Sequence, residues 1–229
     1  MMRRRVAIFD VDGTIFRSSL LIEITEALIR EGVFPRRART FYRAAHGRWL
    51  DREGPYEHYI DAVTRSFVRH IRGVSYRDFQ RIAKRVVVTE RRRVYRYTRD
   101  LIARLRARRY YLLAISNSPL GVLKEFCGTL GFSKVYGRLY EIDRTGKFTG
   151  TVMYEDLIAD KAKILKRAIE KEHLSLAGSV GVGDTESDIP FLKLVERPIC
   201  FNPNRALYRR ARRAGWKVVV ERKDVIYEL

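Results

Sequence analysis

The chain has 229 residues, enough for a substantial core, and this length favours one catalytic domain with an insertion over two independent domains. Its composition, 46% hydrophobic and 32% charged residues, excludes an intrinsically disordered chain. The formal net charge of +20 makes a nucleic acid or an anionic membrane surface an alternative partner. General attraction of polyanions is favoured, because the basic residues are dispersed along the chain.

The cysteines and the start of the chain indicate the cellular compartment of the protein. Cys127 and Cys200 form neither a disulfide framework nor a CxxC motif, which suits a reducing environment. The basic residues 1–5 imitate a signal peptide, but Asp10 and Asp12 interrupt the apolar stretch behind them. No apolar run approaches the roughly 20 residues that cross a bilayer. We therefore expect a cytoplasmic protein.

The first predicted elements are a strand and a long helical region. Residues 6–12 form an apolar run that ends in two carboxylates, and Gly13 and Thr14 then turn the chain. Over residues 18–109 apolar side chains recur at helical spacing. Breaks at 32–35, 47–55 and 73–75 divide this region into roughly four helices.

Strands and helices alternate in the rest of the chain. The pattern predicts a strand at 110–116, a strand pair within 134–153, a helix at 160–171 and strands at 178–183, 199–201 and 217–220. Such alternation is typical of an α/β protein with a doubly wound, mostly parallel sheet, whose ligands bind beyond the carboxyl ends of the strands. We expect a catalytic core of residues 1–16 and 96–229 and an inserted helical cap of residues 17–95.

Two carboxylates at the end of the first strand carry the strongest chemical signal. Asp10 and Asp12 point to the same side of a regular strand, and Mg²⁺ bound by carboxylates, water and a substrate phosphate is the usual arrangement for phosphoryl transfer. Asp10 can attack phosphorus, while Asp12 protonates the leaving oxygen. The segment DVDG alone reads more readily as a turn, so the prediction depends on the rest of the sequence.

Three further segments supply that context. Ser116 and Asn117 end the second strand and can hold a phosphoryl oxygen, although they also suit a helix cap. Lys161 can supply positive charge at the start of a helix, although a surface position is the commoner fate of a lysine. Asp184 and Asp188 follow a buried glycine-containing strand, where Asp184 can complete a metal site.

The ordered set of DVDGT, Ser116, Lys161 and GDTESD resembles the four motifs of the haloacid dehalogenase superfamily of phosphatases. The position of the helical insertion makes the chain similar to the phosphoserine-phosphatase-like branch, subfamily IB, with a Rossmann-like core. The resemblance implies a role for each matching residue. These roles are nucleophile and Mg²⁺ ligand for Asp10, acid/base and carbonyl ligand for Asp12, metal ligand for Asp184, phosphate holders for Ser116, Asn117, Lys161 and Ser187, and supporting acid for Asp188.

One position departs from that branch. Phosphoserine phosphatases carry a glutamate nine residues after the nucleophile, where it recognises the substrate amine, and Ser19 occupies this position here. Phosphoserine is therefore a doubtful substrate. Arg17 and the cap residues Arg43, Arg48 and Arg52 instead indicate an anionic substrate.

The sequence thus predicts a Mg²⁺-dependent phosphatase that hydrolyses a small phosphorylated metabolite through an aspartyl phosphate. Two alternatives stay open at this point. One is binding or hydrolysis at nucleic-acid ends or anionic lipid headgroups, and the other is a phosphotransferase that passes the phosphoryl group to a second substrate. The sequence predicts no oligomeric state.

Overall fold

A computed structural model describes residues 3–229 of the chain. Residues 1 and 2, which belong to the basic start and to the first segment of the expected core, lie outside the described residues. Within the described part, eight strands form one sheet in the order β4-β3-β2-β1-β5-β6-β7-β8. The strands are β1 Arg5–Phe9, β2 Tyr111–Pro119, β3 Lys134–Ile142, β4 Phe148–Met153, β5 Ser175–Gly183, β6 Arg197–Phe201, β7 Lys217–Arg222 and β8 Val225–Glu228.

Parallel pairing joins the six central strands from β3 to β7. The edge pairs β3–β4 and β7–β8 are antiparallel. The predicted α/β class with a mostly parallel sheet is confirmed. The sequence prediction missed β8, whose exposed residues carry no apolar alternation.

Ten α-helices accompany the sheet in residues 3–229. They are α1 Leu20–Arg30, α2 Arg43–Leu50, α3 Tyr56–Ile71, α4 Tyr76–Glu90, α5 Arg96–Ala107, α6 Leu120–Leu130, α7 Glu155–Ile158, α8 Lys161–Lys171, α9 Ile189–Leu192 and α10 Arg205–Ala214. Short 3₁₀ helices cover Arg36–Phe41 and Glu186–Asp188. Five α-helices therefore occupy the stretch for which about four were predicted. The missed break, between α4 and α5, contains neither glycine nor proline and so gives no local signal.

Both faces of the sheet are buried. In β1, Ala7 and Phe9 pack into one apolar cluster, whereas Val6 and Ile8 pack into the cluster on the opposite face. All four side chains are fully buried, as the alternation of side chains along a strand between two helical layers requires. The cluster on the Phe9 side continues into α1, α3 and α4, so the inserted helices share a core with the sheet.

The β3–β4 hairpin connects the sheet to the inserted helices. The turn between α3 and α4 bonds to it through three backbone contacts, from Gly73 N to Phe148 O at 2.8 Å, from Phe148 N to Val74 O at 3.0 Å and from Tyr76 N to Gly146 O at 2.9 Å. The hairpin therefore holds this turn by main-chain hydrogen bonds, which do not depend on side-chain identity. Among the described residues, no helix is both long enough and apolar enough to cross a membrane.

Candidate active site

Parallel pairing brings the ends of β1, β2 and β5 to one edge of the sheet. Phe9, the last residue of β1, is in register with Ala114 of β2 and Val182 of β5. The Asp10 N–H donates to the Val182 carbonyl at 2.9 Å, which fixes Asp10 at this edge. Asp184 directly follows β5, so the two carboxylates meet where ligands bind in open α/β sheets.

Lys161 is buried between two carboxylates. Its Nζ donates to Asp10 Oδ1 at 2.6 Å and to Asp188 Oδ1 at 2.5 Å, and only 5% of the Lys161 side chain is exposed. Asp160 caps α8 by accepting from the Ala162 N–H at 2.9 Å, so Lys161 begins this helix in a fixed orientation. No donor among residues 3–229 reaches Asp10 Oδ2. One Asp10 oxygen is therefore held, and the other can react or bind a cation.

Asp188 organises the loop that follows β5. Its Oδ2 accepts from the backbone N–H groups of Asp184 at 2.9 Å and Thr185 at 3.1 Å, and the residue is completely buried. Gly183 permits this approach, because a Cβ there would lie 2.5 Å from the Asp188 carboxyl carbon. Both Asp188 oxygens thus have partners, which fits the predicted supporting role.

The Asp12 carboxylate accepts three hydrogen bonds. The Leu20 N–H donates to Oδ1 at 2.6 Å, while the hydroxyls of Ser116 and Ser118 donate to Oδ2 at 2.5 and 2.8 Å. The predicted phosphate holder Ser116 therefore gives its hydroxyl to Asp12. These contacts orient the Asp12 side chain from two parts of the fold, the start of α1 and strand β2.

Carboxylate oxygens suited to a divalent cation converge beside Asp10. One oxygen each from Asp10, Asp184 and Asp188 lies within 4.8 Å of the others. Because Asp188 is fully engaged, Asp10 Oδ2 and Asp184 Oδ2 are the donors that remain, and Thr14 Oγ1 donates to the other Asp184 oxygen at 3.2 Å. The Asp12 carbonyl accepts no hydrogen bond from the described part of the chain. This hard-oxygen donor set fits Mg²⁺.

The charges of the site reinforce that fit. Burial raises the pKa of Asp10, to about 8, although the Lys161 ammonium acts to lower it. Burial and the charge of Asp10 likewise raise the pKa of Asp184 well above its ordinary value. Burial alone would lower the pKa of Lys161, but Asp10 and Asp188 raise it. One ammonium thus faces several buried carboxylates, and a divalent cation would stabilise their ionised forms.

A cavity of about 290 Å³ opens onto these residues. It is lined by seven of the residues predicted from the sequence, namely Asp10, Asp12, Ser19, Asn117, Lys161, Asp184 and Ser187. Helix α3 forms the facing wall with Tyr56, Glu57, Ile60, Asp61 and Thr64. Ser19 caps α1 by accepting from the Leu21 N–H at 3.2 Å, and it supplies no negative charge to the cavity.

The basic residues proposed from the sequence to recognise substrate do not line this cavity. Arg17 donates to Glu221 Oε1 at 3.4 Å and lies over the Tyr95 ring. Its backbone N–H bonds to the Arg93 carbonyl, so the chain directs the side chain toward β7. The cap residues Arg43, Arg48 and Arg52 are likewise exposed and absent from the lining. A role for these arginines as substrate ligands stays a prediction, and the lining of this cavity does not support it.

Several residues of the site were missed in the sequence. Ser118 holds Asp12 and Thr14 holds Asp184, and both could have been found from their positions in the motif segments. Arg138 of β3 lines the cavity, but nothing local distinguishes it from the other arginines. The Asn204 amide joins the start of α10 to α3, because it donates to Glu57 Oε1 at 3.3 Å.

Comparison with known proteins places this geometry in a family. Residues 7–193 match the model of the haloacid dehalogenase-like hydrolases. A Streptomyces azureus protein named for inhibition of morphological differentiation is 24% identical over 225 residues, which cover 94% of this chain and 78% of the relative. A phosphoserine phosphatase of Mycobacterium tuberculosis is 24% identical over 219 residues, which cover 93% and 69%.

Solved structures share the fold. A Bordetella pertussis protein of unknown function has a TM-score of 0.73 at 20% identity and covers 95% of this chain and 98% of its own. A phospho-aspartyl intermediate analogue of a phosphoserine phosphatase has a TM-score of 0.62 at 20% identity, with coverages of 97% and 96%. The likeness extends over nearly the whole chain.

Proposed function

Since the chain belongs to the haloacid dehalogenase-like hydrolases, we propose that it hydrolyses the phosphomonoester of a small metabolite by attack of the Asp10 carboxylate on phosphorus. The family and the enzyme class predicted from the motifs, a phosphatase, are confirmed by the family match and by the named relatives. One observation carries the proposed chemistry. Asp10 is buried at the cavity with one oxygen fixed by Lys161 and the other without a donor in residues 3–229.

The reaction has two balanced steps. In the first, an Asp10 oxygen forms a bond to phosphorus, the ester P–O bond breaks, and Asp12 gives a proton to the leaving oxygen. In the second, water attacks the same phosphorus and gives a proton to Asp12, and the bond from Asp10 to phosphorus breaks to release phosphate. The three hydrogen bonds on Asp12 support this role, since they hold an acid/base group beside the nucleophile.

Mg²⁺ is the cofactor that the donor set suits. Asp10, Asp184 and the Asp12 carbonyl would hold it, and it would supply positive charge that offsets the carboxylates and the phosphoryl oxygens. Lys161 supplies further positive charge beside Asp10. Asn117 and Ser187 line the cavity and can donate to phosphoryl oxygens, and the Ser116 hydroxyl acts through Asp12.

The proposed substrate is a small phosphomonoester, and it is not identified as phosphoserine. A cavity of about 290 Å³ accommodates a metabolite better than a polymer end. Relatives named phosphoserine phosphatases support an amino-acid phosphate as a class to test first. Ser19, however, leaves the amine-binding position of that branch without charge, so phosphoserine stays doubtful.

The test is hydrolysis of p-nitrophenyl phosphate with Mg²⁺ by the parent protein and by Asp10→Asn. This variant keeps the shape of the side chain but lacks the nucleophilic oxygen charge, and we expect no turnover. Asp156→Asn, on the short helix α7 and outside the cavity lining, serves as the matched control and should hydrolyse at the parent rate. Equal rates for Asp10→Asn and the parent protein would refute the mechanism.

A further inference from the structure

Arg138 occupies the cavity wall beside the catalytic strand ends. It lies on β3, where it is in register with Pro119 of β2, the residue that follows Ser118. Because Ser118 bonds to Asp12, this pairing places the Arg138 backbone next to the strand end that orients the acid/base. Arg138 also lines the same cavity as Asp10.

Among residues 3–229, Arg138 has the one guanidinium or ammonium group of the cavity lining that lacks an acidic partner. Two basic side chains of these residues line the cavity, and Lys161 is paired with Asp10 and Asp188. In residues 3–229, no carboxylate lies within 4.0 Å of a side-chain nitrogen of Arg138. Arg138 Nε is buried and has no hydrogen-bond partner there. A buried donor without a partner is unfavourable, and an anion bound to it would remove that cost.

Apolar side chains surround the other side of this arginine. A small adjoining cavity of about 80 Å³ includes Arg138 in its lining together with Phe67, Tyr140 and Phe148. Burial raises the pKa of Tyr140 to about 12, and the charge of Arg138, which lines the same small cavity, acts to lower it. The Tyr140 hydroxyl also lacks a partner among the described residues. Weak local solvation strengthens a charge-assisted hydrogen bond made here.

We propose that Arg138 binds a second anionic group of the substrate, a carboxylate or a second phosphate, while the ester phosphate lies at Asp10. The planar guanidinium matches either anion with two parallel hydrogen bonds. The acidic side chains Glu57 and Asp61 on α3 repel an anion, so the second anion is confined to the Arg138 side of the cavity. This inference rests on the proposed function and names its substrate class, a phosphomonoester with two anionic groups.

Matched substrate pairs test the inference. The first pair is 3-phosphoglycerate and glycerol 3-phosphate, which differ by a carboxylate in place of a hydroxymethyl group. The second pair is propane-1,3-diyl bisphosphate and 3-hydroxypropyl phosphate, which differ by the second phosphate. A charged hydrogen bond contributes on the order of tenfold or more, so we expect the parent kcat/KM to favour the second anion in one pair by about that factor, mostly through KM.

Three variants then locate the preference. Arg138→Gln should reduce the kcat/KM ratio within the preferred pair to about one. Arg138→Lys should keep part of the ratio, because lysine keeps the positive charge but cannot make two parallel hydrogen bonds. Arg65→Gln is the matched control, because Arg65 is an exposed arginine of α3 next to Thr64 and outside the cavity lining. It should keep the parent ratio. A parent ratio near one in both pairs, or equal ratios in Arg138→Gln and the parent, would overturn the inference.

A binding measurement separates this inference from the proposed function. Calorimetry of Asp10→Asn with Mg²⁺ gives the dissociation constants of both members of each pair without turnover. The dissociation constants should favour the second anion by a similar factor, and this preference should be lost in the double variant Asp10→Asn, Arg138→Gln. If the parent hydrolyses neither p-nitrophenyl phosphate nor any of these esters but the binding ratio depends on Arg138, the proposed function fails and the anion site stands. If hydrolysis occurs without such a ratio, the anion site fails alone.

Discussion

Replacing Lys161 by Met tests the electrostatic arrangement of the site through stability rather than activity. Methionine keeps most of the length of the lysine stem but lacks the ammonium, so Asp10 and Asp188 would lose their shared partner. Asp188 would keep the two backbone donors on its other oxygen. Asp10 is the carboxylate left buried without compensation.

The magnitude follows from the loss of one member of a buried charge cluster. Removing one partner of a buried ion pair leaves the other without compensation and costs roughly 3–5 kcal/mol. For a chain of this size that corresponds to a fall in Tm of about 6–20 °C.

Thermal unfolding without Mg²⁺, followed by circular dichroism at pH 7, measures the change. Lys163→Met in the same helix is the control, because Lys163 is exposed and should shift Tm by less than about 2 °C. Added Mg²⁺ should raise the Tm of Lys161→Met more than that of the parent, since it would neutralise the uncompensated carboxylate. A Tm for Lys161→Met within 2 °C of the control, by the same size scaling, would refute the reasoning.

Two further predictions concern Gly13, which lies against Asp184, and Glu26 on α1. Gly13 has φ +80°, and a Cβ there would collide with the Asp184 carboxylate. Gly13→Ala should therefore weaken Mg²⁺ binding and raise the Mg²⁺ concentration that gives half-maximal hydrolysis of p-nitrophenyl phosphate. An unchanged half-saturating concentration would contradict this. Although burial acts to raise it, hydrogen bonds from Arg39 and Tyr42 lower the pKa of Glu26, so this group stabilises the fold above its unfolded pKa and stops doing so as pH falls through the folded value. Urea unfolding should therefore show Glu26→Gln less stable than the parent at pH 7, by a difference that shrinks as the pH falls below the unfolded pKa of the glutamate. A difference independent of pH would exclude the Glu26 carboxylate as its source.

Local patterns sufficed for the residues that follow strands. Asp10 and Asp184 each come directly after a buried apolar run, and the carboxyl ends of parallel strands share one edge, so their meeting could be predicted without a structure. The same reasoning placed Ser116 at that edge. It assigned the Ser116 hydroxyl to a phosphate, whereas the structure gives it to Asp12.

Long-range pairing decided the residues that the sequence could not assign. Arg17 is near the nucleophile in sequence, but an antiparallel bridge between Phe16 and Val94 turns the chain so that the side chain reaches β7. Arg138 is far from every motif, yet its register with Pro119 brings it to the cavity. Distance along the chain therefore does not predict that Arg17 lies outside the cavity or that Arg138 lines it, because strand register is set by the whole sheet.

The net charge of the chain does not describe the charge of its cavity. In the described part of the chain, six carboxylates line the cavity, against two basic side chains, of which Lys161 already has two acidic partners. A formal charge of +20 can draw an anion toward the surface, but a phosphate entering this cavity meets like charge at short range, where screening is weakest. Binding of the ester phosphate should then depend on a divalent cation at Asp10 and Asp184. Arg138, which has no acidic partner among residues 3–229, would then select among the anions that the surface attracts.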